Sequence, residues 1–130
     1  MREEISPFQI MPDSLRFLKA QHLRSEADFE RVYARKCKAA DGTLLLFIDR
    51  NDLGLTRIGL SVSKKHGGAV VRNRLKRLLR EAFRLSQADL PSGFNLIAIP
   101  LDGAKASLEA YRKSLTRLTR KLADRLSTLH

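Results

Sequence analysis

The sequence predicts an α+β fold in one domain, and three observations carry that reading. A chain of 130 residues that is 43% apolar can bury one modest core. Helical spacing and strand alternation take turns along it in the order α-β-β-α-β-α. No repeat or low-complexity tract interrupts that order, so helices packed against one face of a single sheet are the economical arrangement.

Residues 1 to 20 read as a flexible N-terminal extension, because Pro7, Pro12 and Asp13 break any regular pattern; a short turn is expected near Leu15 to Leu18. The domain proper is then 21–130. Ser25 offers an N-cap, with Asp28 at the third helical position. Phe29, Val32 and Tyr33 follow at helical spacing and share a face, while Arg31, Arg35 and Lys36 lie around the other side. Asp41-Gly42 marks a turn, and Lys38 to Thr43 leaves room for an extra strand.

Leu44 to Asp49 alternates as a strand, with Leu44, Leu46 and Ile48 facing one way and Leu45 and Phe47 the other. Asn51-Asp52-Leu53-Gly54 reads as a hairpin turn into a second strand, Arg57 to Ser63. There Ile58, Leu60 and Val62 point to a core, while Gly59, Ser61 and Ser63 make a face stripped of large side chains. Such a face admits close approach of another backbone.

Lys64-Lys65-His66-Gly67-Gly68 is a basic loop leading into a helix from about Val70 to Leu85. Its apolar stripe is Val71, Leu75, Leu78, Leu79, Ala82 and Phe83, and Asn73, Lys76, Arg77, Arg80 and Arg84 fall on the opposite side. Pro91-Ser92-Gly93 ends that unit, Asn95 to Ile99 is a nearly all-apolar strand, and Asp102 or Ser107 opens the last helix. That helix carries Leu108, Tyr111, Leu115, Leu118, Leu122 and Leu126 as its stripe and is coated with Lys and Arg elsewhere.

Charge narrows the function. Twenty-five Lys and Arg against 14 Asp and Glu give a formal net charge of +11, which points to a polyanionic partner. The charge is concentrated: the thirty residues from Arg57 to Ser86 hold nine basic residues and the single acid Glu81. Like charges at i, i+3 and i+4 repel and call for a compensating anion, which a phosphate backbone supplies. Arg in preference to Lys favours bidentate phosphate or base contacts. Phe29, Tyr33 and Phe47 can form a small stacking platform for unpaired bases, which favours RNA.

Other classes are excluded. Cys37 is the sole cysteine, so no internal disulfide or thiolate metal cluster forms, which fits a reducing cytoplasm. His22, His66 and His130 are scattered and make no zinc site. No apolar run approaches membrane-spanning length, and the acidic start, Met-Arg-Glu-Glu, is no signal peptide. No nucleophile-base pair, catalytic carboxylate pair, phosphate-cradling loop or metal motif is present, so the expectation is no catalytic side chain and no protein-held metal.

The run Arg57-Ile-Gly-Leu-Ser-Val-Ser-Lys-Lys-His-Gly-Gly-Ala-Val-Val-Arg-Asn-Arg-Leu-Lys-Arg-Leu-Leu-Arg-Glu81 closely resembles the signature of the bacterial ribonuclease P protein family. The likeness extends from about Leu23 to Leu126, with Phe29-x-x-Val32-Tyr33 similar to that family's first helix. It implies an α/β sandwich shared with a ribosomal protein domain, a mostly antiparallel sheet and a left-handed β-α-β crossover. It implies a role in 5′ maturation of precursor tRNA, with hydrolysis performed by the RNA subunit and its Mg²⁺. The partners implied are that catalytic RNA and precursor tRNA, with neither DNA nor membrane.

Carried over, Arg72, Asn73, Arg74, Lys76, Arg77 and Arg80 match the family's RNA-binding motif, and Phe29, Tyr33 and Phe47 its cleft for the 5′ leader; the basic loop and helix face add Lys64, Lys65 and Arg84 as expected RNA contacts, and the small-residue face adds Ser61 to the cleft. Two features depart from the family pattern: residues 1 to 20 are extra, and Lys36-Cys37 stands where glycine is common. Two rivals remain, a ribosomal or other structural RNA-binding protein of the same fold and a helix-turn-helix DNA-binding protein.

Overall fold

A computed structural model describes residues 19–101 and 106–128. The expected turn at Leu15 to Leu18 and the alternative helix start at Asp102 lie outside these residues. In chain order the elements are α1 (Glu26–Arg35), β1 (Lys38–Ala40), β2 (Leu44–Arg50), β3 (Arg57–Leu60), α2 (Ala69–Ser86), β4 (Phe94–Pro100) and α3 (Leu108–Thr128). Short 3-10 turns stand at Lys19–Gln21, Lys64–His66 and Gln87–Asp89.

Local chemistry sets the helix starts. Ser25 caps α1 by accepting from the Asp28 N–H at 3.0 Å. Ser107 caps α3 by accepting from the Ala110 N–H at 3.1 Å. At the end of α1, Lys36 takes the left-handed conformation with φ 58°, the position where glycine is usual, and its N–H returns to the Tyr33 carbonyl.

The sheet has four strands in the order β1-β2-β4-β3. β2 runs antiparallel to β1 and β4, whereas β3 is parallel to β4, so β3-α2-β4 is a β-α-β unit. The expected hairpin between β2 and β3 is therefore absent: β4 lies between them. The reason is burial. β4 has four consecutive buried residues, Asn95 to Ala98, and a strand apolar on both faces needs a neighbour on each side. The Asn51 turn instead serves β4, with its side-chain amide donating to Asn95 Oδ1 at 2.8 Å and its N–H to the Gly93 carbonyl at 2.9 Å.

A second correction concerns the layers. Helices cover both faces of the sheet. α2 and α3 enclose the larger core on one face, with Leu44, Leu46, Ile48, Leu79, Phe83, Leu96, Leu115 and Leu122 all at 0% exposure. Each such side chain contributes on the order of 1.5–3 kcal/mol. α1 lies on the opposite face, where Val32, Leu23 and Ile97 form a smaller core bordered by Phe29, Tyr33, Phe47 and Ile99. The alternation of β2 divides as expected between the two cores. β3 is shorter than expected, ending at Leu60, although the Ser61 N–H still donates to the Ala98 carbonyl at 3.1 Å. Val71, read as part of the buried stripe of α2, is exposed and lies beside Gly67.

Candidate nucleic-acid interface

The first candidate surface is the aromatic row on the α1 face. Phe29 and Tyr33, one helical turn apart on α1, meet edge to face with centroids 6.3 Å apart. Tyr33 meets Phe47 of β2 the same way, at 4.8 Å and 88°. All three rings are half-buried, so each keeps part of its surface for another partner. Lys38 of β1 holds its ammonium 5.5 Å from the Phe47 ring, adding a cation at the end of the row.

The stripped face of β3 has its explanation here. A Cβ at Gly59 would stand 2.5 Å from Phe29 Cζ and 3.1 Å from the Leu23 carbonyl oxygen, so the small residue admits a ring as well as another backbone. Ser61 is half-buried two residues further on, and register alone aligns it with the row.

The second surface is the outer face of α2 with the loop before it. Asn73, Arg74, Arg77 and Arg80 are exposed, as are Lys64 and Lys65; Arg72 and Lys76 are half-buried. Among the described residues no carboxylate forms an ion pair with any of these cations. Arg84 differs, because Glu81 accepts from its Nε at 3.0 Å. That hydrogen bond lowers the pKa of Glu81 and raises that of Arg84, and it offsets the charge at this end of the helix.

The loop is fixed rather than loose. His66 Nδ1 accepts from the Ser63 N–H at 3.0 Å, so Nε2 carries the hydrogen and donates to the Pro100 carbonyl at 2.7 Å. Arg72 Nε donates to the Gly67 carbonyl at 3.2 Å, fastening the loop to the first turn of α2. Ahead of α2 stand a strand and a three-residue 3-10 turn, not the helix that a helix-turn-helix protein requires.

A family model described as Ribonuclease P matches residues 17–123. The chain belongs to the ribonuclease P protein family. A "Ribonuclease P protein component" from Brevibacillus brevis is 37% identical over 105 residues, covering 79% of this chain and 83% of that protein. One from Caldanaerobacter subterraneus subsp. tengcongensis is 36% identical over 104 residues, covering 79% and 90%.

Among solved structures, the Staphylococcus aureus ribonuclease P protein superposes with a TM-score of 0.68 at 32% identity, covering 81% of this chain and 96% of that one. The Thermotoga maritima protein superposes with a TM-score of 0.70 at 27% identity, covering 77% and 96%. The ribonuclease P family supplies the protein subunit of the ribonucleoprotein enzyme that matures the 5′ end of tRNA in bacteria, and this chain is such a subunit.

Two basic residues escaped the sequence reading. A shallow cleft beside Phe29 and Gly59 is also lined by His22 and Arg24, together with Lys76 and Arg80 of α2. The signal was available: His22-x-Arg24 directly precedes the Ser25 cap, which places both beside the start of α1. Among the described residues no group of His, Cys, Asp and Glu is arranged to hold a metal ion. No helix among them is long and apolar enough to cross a membrane.

Proposed function

We propose that the subunit divides its work between two surfaces. Arg72, Asn73, Arg74, Lys76, Arg77 and Arg80, with Lys64 and Lys65, dock the catalytic RNA through phosphates; Arg84 joins them at reduced charge. Phe29, Tyr33, Phe47 and Ser61 hold the single-stranded 5′ leader of precursor tRNA. The observation that carries this reading is the contrast between the surfaces. One is a helix face whose cations lack carboxylate partners among the described residues, and the other is a row of half-exposed rings on the far face of the sheet.

Stacking on rings accepts any base, whereas guanidinium groups suit phosphates. No side chain of the chain performs the hydrolysis. The Mg²⁺ of that reaction belongs with the RNA subunit, since the described residues offer no ligand set that fits it. The enzyme works in the cytoplasm, on RNA and not on DNA or membranes, and residues 1 to 20 are an appendage to the domain.

Reconstitution with a ribonuclease P RNA tests the division. Holoenzyme carrying Phe47→Ala is expected to lose affinity for leader-bearing precursor tRNA and to keep its affinity for leaderless tRNA. Arg77→Ala is expected to weaken assembly with the RNA, with rescue by excess protein. Equal loss for both tRNA forms in a folded Phe47→Ala variant would refute the leader assignment.

A further inference from the structure

The two surfaces are not isolated from each other. The cleft of about 240 Å³ between α1, the outer edge of β3 and α2 is walled by Phe29 on one side and by Lys76 and Arg80 on the other. Its floor is Ile58, Gly59 and Leu60, and its rim is the segment His22 to Arg24. The rim is anchored, since the Leu23 N–H donates to the Ile58 carbonyl at 2.9 Å.

We propose that His22, Arg24, Lys76 and Arg80 form a phosphate-binding site that grips one backbone phosphate of a single strand as it passes from the aromatic row to α2. The proposal deepens the leader-cleft reading and rests on it for the identity of the strand; it moves Lys76 and Arg80, which line the cleft, from the catalytic-RNA face to the border that the two RNAs share.

Three lines of argument converge. The four side chains come from two separate stretches of chain, so their meeting is a product of the fold and not of local sequence. Among the described residues, those that line the cleft include no carboxylate beside Arg24, Lys76 and Arg80. Of the two nearest acids in sequence, Glu26 does not line the cleft, and Asp28 is engaged by Arg31 and by Arg57, whose Nη1 lies 3.5 Å away.

Clustered cations of this kind gain most from an anion that bridges them, and a phosphodiester offers two free oxygens for such bridging. The imidazole registers the same field: burial, then Arg24 and Arg80, hold the pKa of His22 below its ordinary value. Lys76 also faces it, and the β3 residues that face it are uncharged. An arriving phosphate would reverse that bias and draw a proton onto His22. Phe29 forms the wall, so a base stacked on its ring carries its own phosphate into the cleft.

The test uses the full-length chain and a single-stranded oligoribonucleotide of about eight nucleotides. One phosphate at a time is replaced by a neutral methylphosphonate. At one linkage the replacement is expected to weaken binding to the unmodified protein about tenfold. With Arg24→Ala the same replacement is expected to have little further effect. Arg24 is exposed, so this variant is expected to keep the fold, which circular dichroism checks.

As a second readout, inorganic phosphate is titrated while the histidine resonances are followed by NMR. The His22 titration is expected to move to higher pH. Interference that is equally strong in Arg24→Ala at every linkage, or a His22 titration blind to phosphate, would overturn the site. A Phe47→Ala arm reports separately on the leader reading: unchanged oligonucleotide affinity there, with interference intact, would reject the leader cleft and leave the phosphate site standing.

Discussion

Phe29 rests directly on Gly59: a single methyl at that glycine would sit 2.5 Å from the ring's Cζ and 3.1 Å from the Leu23 carbonyl oxygen. The ring can swing away and the backbone cannot. Gly59→Ala is therefore expected to expel Phe29 from the row at a cost of about 1–3 kcal/mol in stability. Denaturant unfolding measures the cost. Affinity of the holoenzyme for leader-bearing precursor tRNA should fall alongside it, and wild-type values in both would show that the ring does not need that seat.

Phe47 meets Tyr33 edge to face and carries Lys38 over its ring. Loss of one stacking platform is worth about 1–3 kcal/mol per base. Phe47→Ala should thus weaken leader-bearing substrate by roughly tenfold to a hundredfold without steepening the salt dependence, because stacking releases no counterions. A change confined to the salt slope would assign Phe47 an electrostatic role instead.

Arg77 is exposed on α2 without a carboxylate partner among the described residues. If it neutralises a phosphate, Arg77→Ala should flatten the plot of log affinity against log salt by about 0.7 to 0.9. Arg84→Ala should flatten it less, since Glu81 already offsets that charge. Identical slopes for both variants and wild type would make this face merely solvated.

Asp41 ties the turn between β1 and β2 to α3. Its carboxylate accepts from the Thr43 and Leu44 N–H groups at 2.8 and 3.0 Å, from Ser114 Oγ at 2.8 Å and from Arg117 at 2.7 Å. Burial alone would raise its pKa; the backbone donors of Leu44 and Thr43, with Arg117 and Ser114, outweigh burial and hold it at about 2, against an ordinary 3.8. A carboxylate with a depressed folded-state pKa stabilises the fold above the unfolded value and loses that contribution as pH falls through the folded one. Asp41→Asn is expected to cost about 1–3 kcal/mol at neutral pH. The gap from wild type should close between about pH 4 and pH 2 in thermal unfolding, and a gap constant across that window would mean the charge is not what matters.

Lys36 holds φ at 58°, where a side chain is unfavourable and glycine is not. Lys36→Gly is expected to raise stability by up to about 1 kcal/mol, which calorimetry detects as a shift of a few degrees in Tm. A lowered Tm would show that Lys36 contributes contacts that outweigh its backbone strain.

The sequence made some of this architecture legible and hid the rest. Helical spacing located Phe29, Val32 and Tyr33 on one face, and Val32 is buried where that spacing put it. The basic face of α2 was readable because charge repels itself regardless of tertiary context. The strand order was not, because alternation assigns a residue to a face and says nothing about which strand lies alongside. Asn51 to Gly54 has hairpin chemistry, yet its amide reaches Asn95 across a strand made forty residues later. The covering of both faces was hidden for a related reason: an amphipathic helix shows which side it buries, not which side of the sheet receives it. His22 and Arg24 were passed over because nothing local links them to Lys76 and Arg80; only folding brings them to one cleft.

The placement of β4 between β2 and β3 also governs the order of events during synthesis. While the ribosome is still adding residues beyond α2, β2 and β3 have both emerged but the β4 that pairs with each of them has not. The nascent chain then displays two unpaired strand edges and a helix with +8 of the polypeptide's +11 net charge gathered on it and the strand and loop before it. Closing the sheet requires a contact between distant parts of the chain, which is slow to form and exposes sticky edges meanwhile. A cell that makes this subunit therefore gains from having its RNA at hand early, as a scaffold that quenches the charge before the last strand arrives.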